Sequence, residues 1–71
     1  MRQQLHIHYG SDVYPHRKAV VFLNKEKDCF EVEFWNKKQL QETREMITDG
    51  VAHSERYAED AAENWCLGYM P

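Results

Sequence analysis

The sequence predicts an α+β fold: a small antiparallel meander of three to four strands with one C-terminal helix packed across it. Three observations carry that prediction. Residues 19–23 and 29–35 are β-rich apolar runs separated by the polar turn Asn24-Lys-Glu-Lys-Asp28. Apolar and small residues then recur at three- and four-residue spacings from Tyr57 to Cys66, between a capping Ser54 and Gly68. Finally, 71 residues suit one domain spanning 1–71, not a catalytic domain with a separate substrate domain.

The first element is a half-buried strand, with Leu5, Ile7 and Tyr9 alternating against Gln4, His6 and His8. Gly10 to Pro15 gathers Gly, Ser, Asp and Pro and reads as a loop. Ala19-Val-Val-Phe-Leu23 is the second strand. Cys29-Phe-Glu-Val-Glu-Phe-Trp35 is the third, with Phe30, Val32 and Phe34 on one face and Glu31, Glu33 and Trp35 on the other. Residues 36–49 admit two readings. As a helix they would run from a cap at Asn36 to Gly50, with Leu40, Thr43, Met46 and Ile47 on one side. As a strand, residues 36–39 form a tight turn and Leu40 to Ile47 extend the meander. Propensity favours the helix; spacing from the preceding strand favours the meander.

Ser54 caps the last element, and Glu55 stands where the helix dipole favours an anion. Alanines 58, 61 and 62 let the helix approach a sheet closely, and Gly68 ends it. The core expected from this pattern is Val20, Phe22, Phe30, Val32, Phe34, Leu40, Ala58, Ala61, Ala62 and Trp65.

Charge is unevenly placed. Residues 1–41 hold seven basic and five acidic groups; residues 42–71 hold two basic and seven acidic, within a net charge of −3. An acidic half steers toward basic protein surfaces and matches nucleic acid poorly. No run is apolar enough for a membrane span or a secretory leader, so a soluble cytoplasmic protein is expected. Cys29 and Cys66 form no disulfide framework and are expected as buried, reduced thiols.

Chemistry has few candidates. His6 and His8 project together from one strand face and are weak metal candidates, since a closed zinc site needs about four ligands and the other His and Cys residues lack motif spacing. Glu31 and Glu33 are paired carboxylates, but nothing encloses them in a cleft, and no phosphate loop, nucleophile elbow or Cys–His signature is present. A non-enzymatic protein without a cofactor is expected.

Two surfaces remain. One is acidic: the helix residues Glu55, Glu59, Asp60 and Glu63, and the outer sheet face with Glu31, Glu33 and Trp35, where an exposed tryptophan would mark a contact. The first strand or residues 10–18 could instead fold over Trp35. The other surface is basic: Lys25, Lys27, Lys37 and Lys38 at the hairpin ends, with Arg17 and Lys18 on the rim, as in small sheet-based nucleic-acid readers. Glu31 and Glu33 on the same sheet face count against phosphate. An edge strand also leaves room for a second copy.

The run Tyr57-Ala-Glu-Asp-Ala-Ala-Glu-Asn-Trp65, following Glu42-Thr-Arg-Glu45, resembles small uncharacterised accessory proteins of tailed phages that infect marine cyanobacteria. The likeness spans about residues 19–70, leaves His6 and His8 outside, and favours the strand reading of 36–49. It carries no catalytic motif. It implies an accessory protein made in the host cytoplasm that binds and modulates a host protein complex, with nucleic-acid binding through the basic hairpin ends as the alternative.

Overall fold

The computed structural model describes residues 2–69. Four antiparallel strands, β1 (Arg2–Tyr9), β2 (Arg17–Asn24), β3 (Cys29–Asn36) and β4 (Gln39–Glu45), form one sheet in sequence order. A two-stranded hairpin follows, β5 (Ile47–Thr48) with β6 (Val51–Ala52), and then helix α1 (Glu55–Leu67), which packs across β1, β2 and β3. The α+β meander with a C-terminal helix is thus the observed architecture. Residues 39–45 are a strand, so the strand reading holds there and the helix reading of 36–49 does not.

The β2–β3 register decides which face becomes the core. Leu23, Val21 and Ala19 pair with Phe30, Val32 and Phe34, and this row meets Ala58, Ala62 and Cys66 of α1. Val20 and Phe22, expected in the core beside Phe30, Val32 and Phe34, therefore stand on the opposite face. Val20 is still only 5% exposed. It lies on an inner strand, paired with Ile7 and Glu33. Leu40, also expected in the core, is 47% exposed on β4. Ala61 and Trp65 pack against the cluster from its rim.

In β1 a bulge between Gln4 and His6 resets the alternation. Leu5 packs against the core, whereas His6 and His8 pair with Val21 and Ala19 on the helix side. Ile7 and Tyr9 turn outward instead of sharing a face with Leu5. The bulge also interrupts a sheet edge, and the opposite edge, β4, bears Glu42, Arg44 and Glu45; both devices discourage edge-to-edge pairing.

After Glu45 the chain dives. Met46 is buried, its N–H donates to Phe30 O at 2.8 Å, and its carbonyl accepts from His53 N at 2.8 Å. This anchor ends β4 and launches the β5–β6 hairpin, whose Asp49-Gly50 turn has both residues at positive φ.

The helix is fastened at both ends. Ser54 Oγ accepts from Tyr57 N at 3.2 Å. Gly68 sits at φ 85°, where its N–H bonds Trp65 O and Tyr69 N–H bonds Asn64 O. No basic residue lies in the last helical turn. Arg17 of β2 supplies the cation, donating from Nη1 to Trp65 O at 2.7 Å while its guanidinium lies over the rings of Tyr14 (3.9 Å) and Trp65 (4.6 Å). The two cysteines are free and buried on opposite sides of the sheet: Cys66 under the helix, Cys29 beside Glu31 and Glu45.

Candidate functional site

Among the described residues, no helix packs on the sheet face away from α1. Its chemistry divides along the strands. At the end where β1 begins, Arg2 lies over the Phe22 ring at 4.2 Å and binds both outer carboxylates, Glu33 at 2.9 Å and Glu31 at 3.5 Å. Asn24 Nδ2 also donates to Glu31, which is 6% exposed. The paired carboxylates are therefore held together and partly offset in charge by one arginine.

At the other end, a concavity of about 290 Å³ is lined by Tyr9, Pro15, His16, Arg17, Lys18, Trp35, Lys37 and Lys38. Antiparallel pairing brings these together from three separate segments. Tyr9 ends β1 and pairs with Lys18, Lys18 pairs with Trp35, and the β3–β4 turn places Lys37 and Lys38 beside them. Lys37 N–H donates to His16 O at 3.0 Å, tying that turn to the β1–β2 loop. Gly10 makes the loop compact, since a Cβ there would strike the Tyr14 carbonyl.

Trp35 is half-buried. Its Nε1 donates to Glu33 at 3.2 Å, and the Lys18 ammonium sits over its ring at 4.9 Å. Loop residues 15 and 16 rim the tryptophan without roofing it over. Tyr9 is 70% exposed. Among the described residues, no carboxylate lines this cleft. The arrangement offers flat aromatic surface beside several cations, which is what a ligand with rings and negative charge requires.

The turn itself bears on this. Lys37 and Lys38 both lie at positive φ, 54° and 66°. Lysine is disfavoured in that region, and two-residue hairpin loops prefer Asn-Gly or Asp-Gly. The chain uses Asp49-Gly50 for its other short hairpin. Two lysines at Lys37 and Lys38 keep charge at the cleft at a cost in backbone conformation.

The other sequence candidates disperse. Lys25 and Lys27 lie at the far end of the β2–β3 hairpin, an eight-residue strand away, roughly 26 Å, and Lys27 bonds Glu45 at 2.8 Å. The four lysines proposed as one nucleic-acid surface thus separate into two pairs. On α1 the acidic residues divide too: Glu55 and Glu59 turn toward β1, where His6 Nε2 is 2.9 Å from one and 3.2 Å from the other. Asp60 and Glu63 remain on the exposed side. His8, the other weak metal candidate, stands on the same strand face with its ring centroid 6.5 Å from that of His6, and among the described residues its buried Nε2 has no hydrogen-bond partner.

Sequence reasoning named Trp35, Lys37, Lys38, Lys18 and Arg17 but missed Tyr9 and His16. Pairing counted outward from the 24–28 turn would have set Lys18 opposite Trp35. No signal within either loop announces that the β1–β2 loop reaches the same place. No family model, curated protein or solved structure matches this chain.

Proposed function

We propose that this protein is a non-enzymatic binding module, of the phage accessory kind its sequence resembles, and that its ligand is single-stranded nucleic acid held in the Trp35 cleft. One observation carries the reading: two aromatic residues, Trp35 and Tyr9, share a concavity with Lys18, Lys37 and Lys38, and of these groups Glu33 bonds only the indole N–H. Exposed rings that stack bases, beside cations that track phosphates, are the common means of holding a single strand. The objection raised by Glu31 and Glu33 weakens, because Arg2 pairs with both. On this support we rank nucleic acid ahead of the host-protein reading that the sequence favours.

The host-protein reading keeps one specific support. Asp60 lines a shallow concavity of about 260 Å³ with Tyr57, Ala61 and Asn64, an aromatic and acidic patch on the opposite layer of the molecule. A partner there would be basic.

Fluorescence anisotropy with a labelled oligothymidine, repeated over a salt series, separates the two. Engagement of three lysines gives a slope of log affinity on log salt of about −2, and Trp35→Ala weakens binding by about tenfold or more. Absence of binding at low salt would overturn the nucleic-acid reading. Capture from host lysate of a protein that survives nuclease and is lost on Asp60→Lys with Glu63→Lys would replace it.

A further inference from the structure

We infer that His6, Glu55 and Glu59 form a binding site for a divalent transition-metal ion of the zinc class, joining β1 to the first turns of α1. This site lies on the helix layer and is independent of the Trp35 cleft.

The fold assembles the three donors from two elements far apart in sequence. The bulge at Leu5 turns His6 toward the helix, and one helical turn separates Glu55 from Glu59 so that both carboxylates reach the same imidazole. The His6 Nε2 lies 2.9 Å from Glu55 Oε2 and 3.2 Å from Glu59 Oε1, and one donor atom from each residue lies within 4.8 Å of the others. Around a tetrahedral ion with ligands at about 2.1 Å, neighbouring donors are roughly 3.4 Å apart. The two distances from His6 need to open by only a few tenths of an ångström. All three side chains are partly exposed, which leaves both an entry path and a fourth position for water.

Donor chemistry narrows the ion. Imidazole nitrogen with carboxylate oxygen suits zinc, whereas magnesium and calcium prefer all-oxygen shells. Two carboxylates around a neutral imidazole carry two negative charges, matching one divalent cation. The second cluster of ligating types, Cys29, Glu31 and Glu45, does not compete. Its carboxylates are committed to Arg2, Asn24 and Lys27, and burial pushes the Cys29 thiol up, away from the thiolate a metal needs.

The consequence is mechanical. β1 is an edge strand joined to β2 alone within the sheet, and a small domain gains much from one metal staple. Zinc binding would fix β1 against the helix.

The test is zinc chloride titrated into the purified chain by calorimetry near neutral pH, with melting curves taken with zinc and after chelator. The expected result is one ion per chain and a Tm raised by about 10–20 °C at a hundredfold excess over Kd, reversed by chelator. His6→Ala and Glu59→Gln should each weaken binding by about tenfold or more. Glu59→Gln is close in shape, so an unchanged metal-free Tm shows that it still folds. His8→Ala should leave affinity unaltered. No binding at millimolar zinc would overturn the site, leaving His6 an ion-pair partner of the two glutamates. Loss on His8→Ala with none on Glu59→Gln would also overturn it, in favour of the strand histidine pair.

Discussion

The β3–β4 turn should be less stable than it could be, and replacing it tests why. Exchanging Lys37 for Asn and Lys38 for Gly installs the residues that a two-residue turn with both φ positive prefers. A side-chain-bearing residue in the left-handed region costs about 1–2 kcal/mol, and the entropy glycine loses on folding returns roughly 0.5–1 kcal/mol. The double variant should therefore gain about 1–2 kcal/mol. For a domain of this size that raises Tm by about 5–10 °C, and the urea midpoint should rise without a change in slope. The same protein should bind single-stranded oligonucleotide more weakly, with its salt slope reduced by about 1.4 as two phosphate contacts vanish. Stability and affinity would then move in opposite directions. A variant that is no more stable would refute the conformational argument. One that is more stable yet binds unchanged would remove the two lysines from the ligand surface.

Arg17→Met should cost about 2–4 kcal/mol in urea unfolding, because it removes a charged hydrogen bond to Trp65 O and two ring contacts; Arg17→Lys should recover only part, and a loss below about 1 kcal/mol would deny the clamp. Trp65→Ala should cost about 3 kcal/mol, since the indole packs against Phe34 with ring centroids 5.1 Å apart at the core's rim; an unchanged Tm would contradict that packing. Gly68→Ala should cost about 1–2 kcal/mol or more, because its φ of 85° is unfavourable for alanine and the new Cβ would strike the Tyr14 ring. Burial raises the thiols of Cys29 and Cys66 above the ordinary 9.0, with Glu45 and Glu31 adding to the rise at Cys29. Their contribution is complete below the unfolded thiol value and is lost as pH rises through the native values, so urea midpoints should fall above about pH 9. A Cys29→Ala, Cys66→Ala protein should show less of that fall.

Much of the architecture is legible in the sequence because local signals agree with one another there. The polar run between two β-rich segments sets the β2–β3 hairpin, and Ser54 with Gly68 bracket a helix whose alanines meet the sheet. What is not legible depends on phase. Ala19 to Leu23 is apolar throughout, so alternation cannot choose a face; only the register with Phe30, Val32 and Phe34 puts Val21 inside and Phe22 outside. In β1 one extra residue at Leu5 inverts an otherwise clear alternation, and with it the partners of His6. Helix propensity over 36–49 is overridden by pairing with β3 and by the burial of Met46. The cleft is half legible for a related reason. Lys18 and Trp35 follow from pairing arithmetic across the β2–β3 turn, whereas Tyr9 depends on a β1 register that the bulge shifts and His16 arrives through loop geometry that no periodicity records.

The cysteines on opposite sides of the sheet also make the molecule a two-channel clock. Cys66 is exposed when α1 lifts from the strands, and Cys29 when the β2–β3 hairpin comes apart beneath Glu31 and Glu45. Modification by a small thiol reagent, with each position read separately, times those two openings without any introduced probe. Equal rates would mean that the layers come apart in one cooperative event. Faster modification of Cys66 would mean that the helix detaches while the meander persists, and the difference in rates would measure how much of the fold the sheet sustains alone.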